Sequence, residues 1–363
     1  MTQHSIRSFA IVAAAAVLFS TNAIAQDGDY DSSWQSIPAK AFAFVHVDLE
    51  AIADSPSMTI PRDIVMGVKE ELDQVFESNI GIKVTEVMDA TLVIPSAEAA
   101  LATADGETAP GFILLSFNSS VSIQRIRKAL GGGWSLVSAK GGQMLVDEKK
   151  ERAIFHHSAN TLALGSQDQV QWFINNRDDD EYSPLDDAMT ESEYGQVIFG
   201  IDGRKIPAEL TRELPPEFRF VEKMNFASVS LDLIGGITVD SVFEFASVED
   251  AKEVSKLANV QLKELRSMIG LLESDAMRRL VTAGKDLDQA VEPLAELALY
   301  RYGKKLANET EVQHFRNRVM THVGIEGVDG TLFLAGIIPT MIGASGEAAE
   351  AAFDDIASQL DAE

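Results

Sequence analysis

The chain contains no cysteine in its 363 residues. Disulfides, thiolate metal sites and cysteine nucleophiles are therefore excluded together, and stability must come from packing. Basic residues are scarce: 30 Lys and Arg stand against 56 Asp and Glu, a formal charge of −26. A field of that sign repels phosphate backbones and anionic lipid, which disfavours nucleic acid and polybasic membrane attachment. The sequence has no GxSxG, P-loop, dinucleotide fingerprint or HExxH spacing, so serine hydrolase, nucleotide, NAD and zinc-protease chemistry lose their usual signatures. The most apolar run after residue 25 is 331–342 (TLFLAGIIPTMI). Its length falls short of the roughly 20 residues a membrane helix needs, and with Pro339 it reads as one buried strand leading toward a helix.

What is present begins with an address. Arg7 closes a short basic start, residues 8–20 are apolar apart from their ends, and Ala23-Ile24-Ala25 offers small residues at both positions a signal peptidase reads. Cleavage is expected between Ala25 and Gln26, making Ala23, Ala25 and Gln26 the processing site. Arg7 is the only charged side chain before Gln26, so cleavage takes the formal charge to −27. No stable membrane insertion is expected after the cut, and the mature chain is expected to be periplasmic or secreted.

Residues 26–40 (QDGDYDSSWQSIPAK) have the composition of a flexible acidic leader. A first α+β lobe is expected over 41–176. Period-two alternation marks a strand at 41–49, and an apolar 3–4 spacing from Pro61 marks a helix ending near Asn79. Strands follow at 87–94 and 111–117, separated by an Ala-rich loop. Next come a short helix at 121–130 capped by Ser120 and stopped by Gly131-Gly132-Gly133, a meander of four short strands over 134–165, and a closing helix at 167–175. Residues 177–194 read as an acidic linker containing Pro184.

The second lobe, 195–363, repeats the plot. Residues 197–202 echo 43–48, 226–231 echo 89–94, and 242–245 with Ser247 and a helix echo 114–117 with Ser120 and a helix. This lobe carries a helical insertion over 248–306, whose seam Ala258, Leu262, Leu265, Ile269 and Leu272 is expected to pack within the chain. Strands at 319–324 and 331–338 and an amphipathic helix at 346–360 complete it. The fold class is therefore α+β: two related lobes, each an antiparallel or mixed sheet with packed helices.

Three clusters invite chemistry. His46 and Asp48 share a strand face and His156-His157 lie on another strand, so zinc or acid-base work would require those strands to be neighbours. Neighbouring strand residues point to opposite faces, so only one of the pair could join, and hydrogen-bonded or solvent-facing histidines are expected, His314 and His322 included. Asp178-Asp179-Asp180-Glu181 suits a hard cation, but an EF-type loop from Asp178 would need Gly and Glu where Ser183 and Met189 stand. The glycine triplet follows a helix and precedes a strand, the reverse of a phosphate cradle. Asn118-Ser119-Ser120 and Asn308-Glu309-Thr310 fit the glycosylation sequon of a eukaryotic secretory route. No catalytic, cofactor-binding or metal-ligating residue is assigned.

The segments AFAFVHVDLEAI, SNIGIKVTEVMDATLVI, GFILLSFNSSVSIQRIRKAL, TLALGSQDQVQWFI and DGTLFLAGIIP together resemble exported proteins of unassigned function from planctomycete-type bacteria. That resemblance implies an envelope or secreted location and a duplicated α+β body, and supplies no catalytic residues. The expected function is a non-catalytic binding or structural module with a protein or small-molecule partner. The alternatives are an exported carboxylate- or metal-dependent hydrolase and a carrier of a small apolar ligand between the lobes.

Overall fold

The computed structural model describes residues 32–54, 81–102, 110–147, 151–179, 181–191, 195–214, 216–233, 236–283 and 303–326, together with residues 77, 149, 293, 297, 300 and 301. The expected signal segment and processing site, nearly all of the helix expected over 61–79, and the strand and helix expected over 331–338 and 346–360 lie outside the described residues.

Twelve strands are present among the described residues: β1 (Ala43–Asp48), β2 (Val87–Ile94), β3 (Phe112–Phe117), β4 (Ser135–Ala139), β5 (Gly142–Asp147), β6 (Arg152–His156), β7 (Thr161–Ser166), β8 (Val197–Asp202), β9 (Met224–Asp232), β10 (Gly236–Phe245), β11 (Glu311–Phe315) and β12 (Arg318–Glu326). Among the described residues, seven α-helices with described bounds accompany them, besides helical residues at 303–309: α1 (Leu49–Asp54), α2 (Ala97–Ala102), α3 (Ile123–Leu130), α4 (Gln167–Asn176), α5 (Pro184–Glu191), α6 (Ala208–Glu213) and α7 (Val248–Ala283). The class is α+β, as the mixed periodicities require.

All twelve strands belong to one sheet in the order β11-β12-β10-β9-β8-β1-β2-β3-β7-β6-β5-β4, and every pairing is antiparallel. The first and second halves of the chain meet at its middle, where Ala43 to Val47 of β1 pair with Ile201 to Val197 of β8. Two separate sheets are thus replaced by one, because β1 and β8 each expose an unpaired edge that the other satisfies.

Alternation along β3 shows how the sheet is covered. Leu115 and Phe117 point to one face, where Ile52 of α1 and Ile123 and Ile126 of α3 bury them. Phe112 and Leu114 point to the other, against Val170, Phe173 and Ile174 of α4 and Leu185 of α5. With helices on both sides, Phe44 and Val47 of β1 are buried on opposite faces, so β1 has no solvent side.

Local chemistry sets the helix ends. Ser166 accepts from the Gln169 amide while the Gln169 side chain accepts from the Ser166 amide, a capping box that starts α4. Ser247 accepts from the Asp250 amide at 3.1 Å and starts α7 as the sequence leads one to expect. Along α7, Ala251, Ile269 and Ala276 are buried, while Leu265 and Leu272 of the expected seam are exposed. The Arg266 guanidinium reaches the carbonyls of Ala307 (2.7 Å) and Thr310 (3.1 Å), tying the helical residues 303–309 back to α7.

Several boundaries need correction. The acidic linker 177–194 contains α5, with Pro184 at its first position, where a missing N–H costs nothing, and Leu185 and Ala188 driven inward. The Ala-rich loop holds α2, consistent with alanine's high helix propensity. Helix α3 begins at Ile123, with Ser122 rather than Ser120 at the cap position. The leader is not wholly flexible: Ser33–Ser36 form a 3-10 turn whose Ser33 is fully buried.

Candidate functional site

The register of the middle strands gathers polar side chains that lie far apart in sequence. His46 sits opposite Thr91 and Asp48 opposite Asp89 across β1 and β2, and Asp89 sits opposite Ser116 across β2 and β3. The 3-10 turn Ser33–Ser36 lies over this patch. Ser32 Oγ donates to Asp89 Oδ2 at 2.9 Å, the Ser33 amide donates to Asp89 Oδ1 at 3.1 Å, and the Ser33 hydroxyl donates to the same oxygen. Ser33 Oγ is 2.6 Å from Thr91 Oγ1, which is 2.8 Å from His46 Nδ1. The Trp34 ring lies 6.0 Å from the imidazole. A continuous hydrogen-bonded chain therefore runs from His46 through Thr91 and Ser33 to Asp89.

Burial sets the charges. Desolvation lowers the His46 pKa to about 4, so the imidazole is neutral at pH 7. Desolvation also raises Asp89, and the donors Ser33, Ser32 and Ser116 pull it back. Asp48 is raised for the same reason and opposed by the Ala51 amide, which donates to Oδ1 at 2.8 Å. Ser33, Asp89, Thr91 and Ser116 have no exposed surface and His46 has 5%. A neutral imidazole and a carboxylate are the parts of an acid-base pair, and here His46 Nδ1 and both Asp89 oxygens are engaged within the chain. What the arrangement does physically is fasten residues 32–36 to three strands.

The other candidates disperse. β6, which ends at His156, lies four places from β1 in the sheet, about 19 Å at the usual strand spacing. His156 Nε2 bonds the Val121 carbonyl at 2.8 Å, and His157 packs edge-on against Phe173, 5.2 Å away, beside Arg177. His314 is exposed on β11, and His322 pairs with Asp240 at 2.7 Å. Asp178 and Asp179 are ion-paired with Lys140 (2.9 Å) and Lys40 (2.6 Å), which lower both carboxyl pKa values. Gly131, with φ of 79°, ends α3. Among the described residues no group of three or more His, Asp or Glu could hold a metal ion, and no helix is long and apolar enough to cross a membrane.

Sequence reasoning noticed His46 and Asp48 but missed Asp89, Thr91, Ser116, Ser32 and Ser33. The available signal was an aspartate inside an apolar strand (VMDATLVI), since a buried carboxylate demands donors from elsewhere. At the surface, eight of the twelve exposed large apolar side chains among the described residues lie on α7, Met268 (53%) and Leu271 (74%) among them.

No protein-family model and no curated protein matches the chain. A solved structure titled "Structure of crystal form I of TP0453" aligns with 87% of this chain and 99% of its own, at 10% identity and a TM-score of 0.36.

Proposed function

We propose that the chain is an exported, non-catalytic binding or structural module of the bacterial envelope or secretome, with a body that arose by duplication. The observation that carries this reading is the fastening of Ser32 and Ser33 to buried Asp89. It begins seven residues beyond Ala25, so cleavage there would leave the whole clamp on the mature chain. It also gives the residues most suggestive of catalysis an internal structural task. Support for duplication comes from the sheet order, in which β1-β2-β3 run outward on one side of the middle as β8-β9-β10 do on the other. Asp48 ends β1 and accepts from the Ala51 amide; Asp202 ends β8 and accepts from the Arg204 amide.

Mass analysis of protein recovered from source cells tests the export reading: an amino terminus at Gln26 outside the cytosol is expected, and an intact Met1 on cytosolic protein would overturn it. Replacing His46 by Asn tests the non-catalytic reading. The variant should rescue whatever growth or envelope defect follows deletion of the gene, and a folded variant that fails to do so would favour the hydrolase.

A further inference from the structure

Beside the stop of α3 lies an open hollow of about 370 Å³ lined by Gln124, Arg127, Lys128, Gly131, Gly132 and Trp134. Its character is opposite to that of the chain as a whole. Neither Arg127 nor Lys128 has an ion-pair partner among the described residues, whereas neighbouring Arg125 is held by both oxygens of Glu86 at 3.0 Å. Cations in a last helical turn complement the helix dipole, and that alone accounts for their sign. It does not account for the aromatic wall. Trp134 is partly exposed, and the Arg152 guanidinium lies 5.5 Å from its ring centroid, itself held by Asp147 at 3.2 Å.

The glycines add an independent observation. Gly131 is required by its positive φ, but Gly132 and Gly133 are outside that region, and a Cβ on either would meet nothing within 4 Å. Backbone conformation and packing therefore leave room for side chains there, and the bareness of the loop keeps the hollow open. A volume near 370 Å³ suits a small ring compound.

We propose that this hollow is a binding site for a small ring-bearing carboxylate, with its acid group against Arg127 and Lys128 and its ring stacked beside Trp134. Charge-assisted contacts fix the acid, and the part of the indole left exposed beside Arg152 packs against a flat or pyranose ring. The site stands whether or not the chain is exported.

Calorimetric titration of the full mature chain with glucuronate, benzoate and uncharged glucose tests it. Saturation by glucuronate or benzoate in the millimolar range is expected, with glucose inert; the acid that saturates identifies a sugar or an aromatic ligand. The double variant Arg127→Gln/Lys128→Gln should weaken binding at least about tenfold, the equivalent of ~1.4 kcal/mol. Gly132→Leu should abolish it with an unchanged melting temperature, since the added side chain enters open space. Failure of both acids to saturate, glucose binding as well as either acid, or binding that survives both variants would overturn the proposal.

Discussion

His46 should make the fold sensitive to mild acid. In the unfolded chain its imidazole titrates at the ordinary 6.5, whereas burial holds it near 4 in the fold. The native state therefore binds fewer protons than the unfolded state between those values, and stability falls as pH drops through the window. From pH 8 to pH 5 the loss is about 2 kcal/mol, against a total of ~5–15 kcal/mol for a typical domain. Asp48 and Asp89 act in the opposite sense. Their folded pKa values lie above 3.8, so protonation on approach to that value favours the fold. The difference between wild type and His46→Asn isolates the imidazole, because Asn can still partner Thr91 while it does not titrate. Urea midpoints for both proteins at pH 8 and pH 5 should show the wild type losing about 2 kcal/mol more than the variant. Equal losses would refute the reasoning, and so would a His46 NMR titration midpoint near 6.5 in the folded protein.

Three further outcomes follow from the packing. Asp89→Ala leaves the Ser32 hydroxyl and the Ser33 amide without their acceptor, at about 1–3 kcal/mol for each buried group left unpaired, and should bring early protease cleavage near residue 36; denaturant melts with limited proteolysis check it. Gly200→Ala would place a Cβ 2.2 Å from Phe44 Cε1 at the β1–β8 seam and should cost about 1–3 kcal/mol in thermal unfolding. Ser166→Ala removes the capping box of α4 and should cost about 1 kcal/mol by the same assay.

The strands were legible wherever alternation carried them: β2 matches its expected bounds residue for residue, β8 coincides with the segment that echoes 43–48, and the four-strand meander is β4 to β7. β11 (EVQHF) was not, because an edge strand with little apolar surface has no pattern to read. α5 escaped because its acidic residues resemble a linker until Leu185 and Ala188 are seen inside. The central cluster was half legible. His46 and Asp48 announce themselves by spacing, but their partnership with Asp89 and Ser33 depends on cross-strand register and on a leader folding back over 56 residues of chain, neither of which is local information.

The pairing of β1 with β8 also has a mechanical meaning. Five consecutive residue pairs join the two halves, extended at either end by the Asp48 amide on the Gln196 carbonyl and the Asp202 amide on the Phe42 carbonyl. A clamshell rotation about that line would unzip a ladder buried under side chains from both faces. Rotation of one half against the other would therefore have to break strand pairing rather than bend a linker.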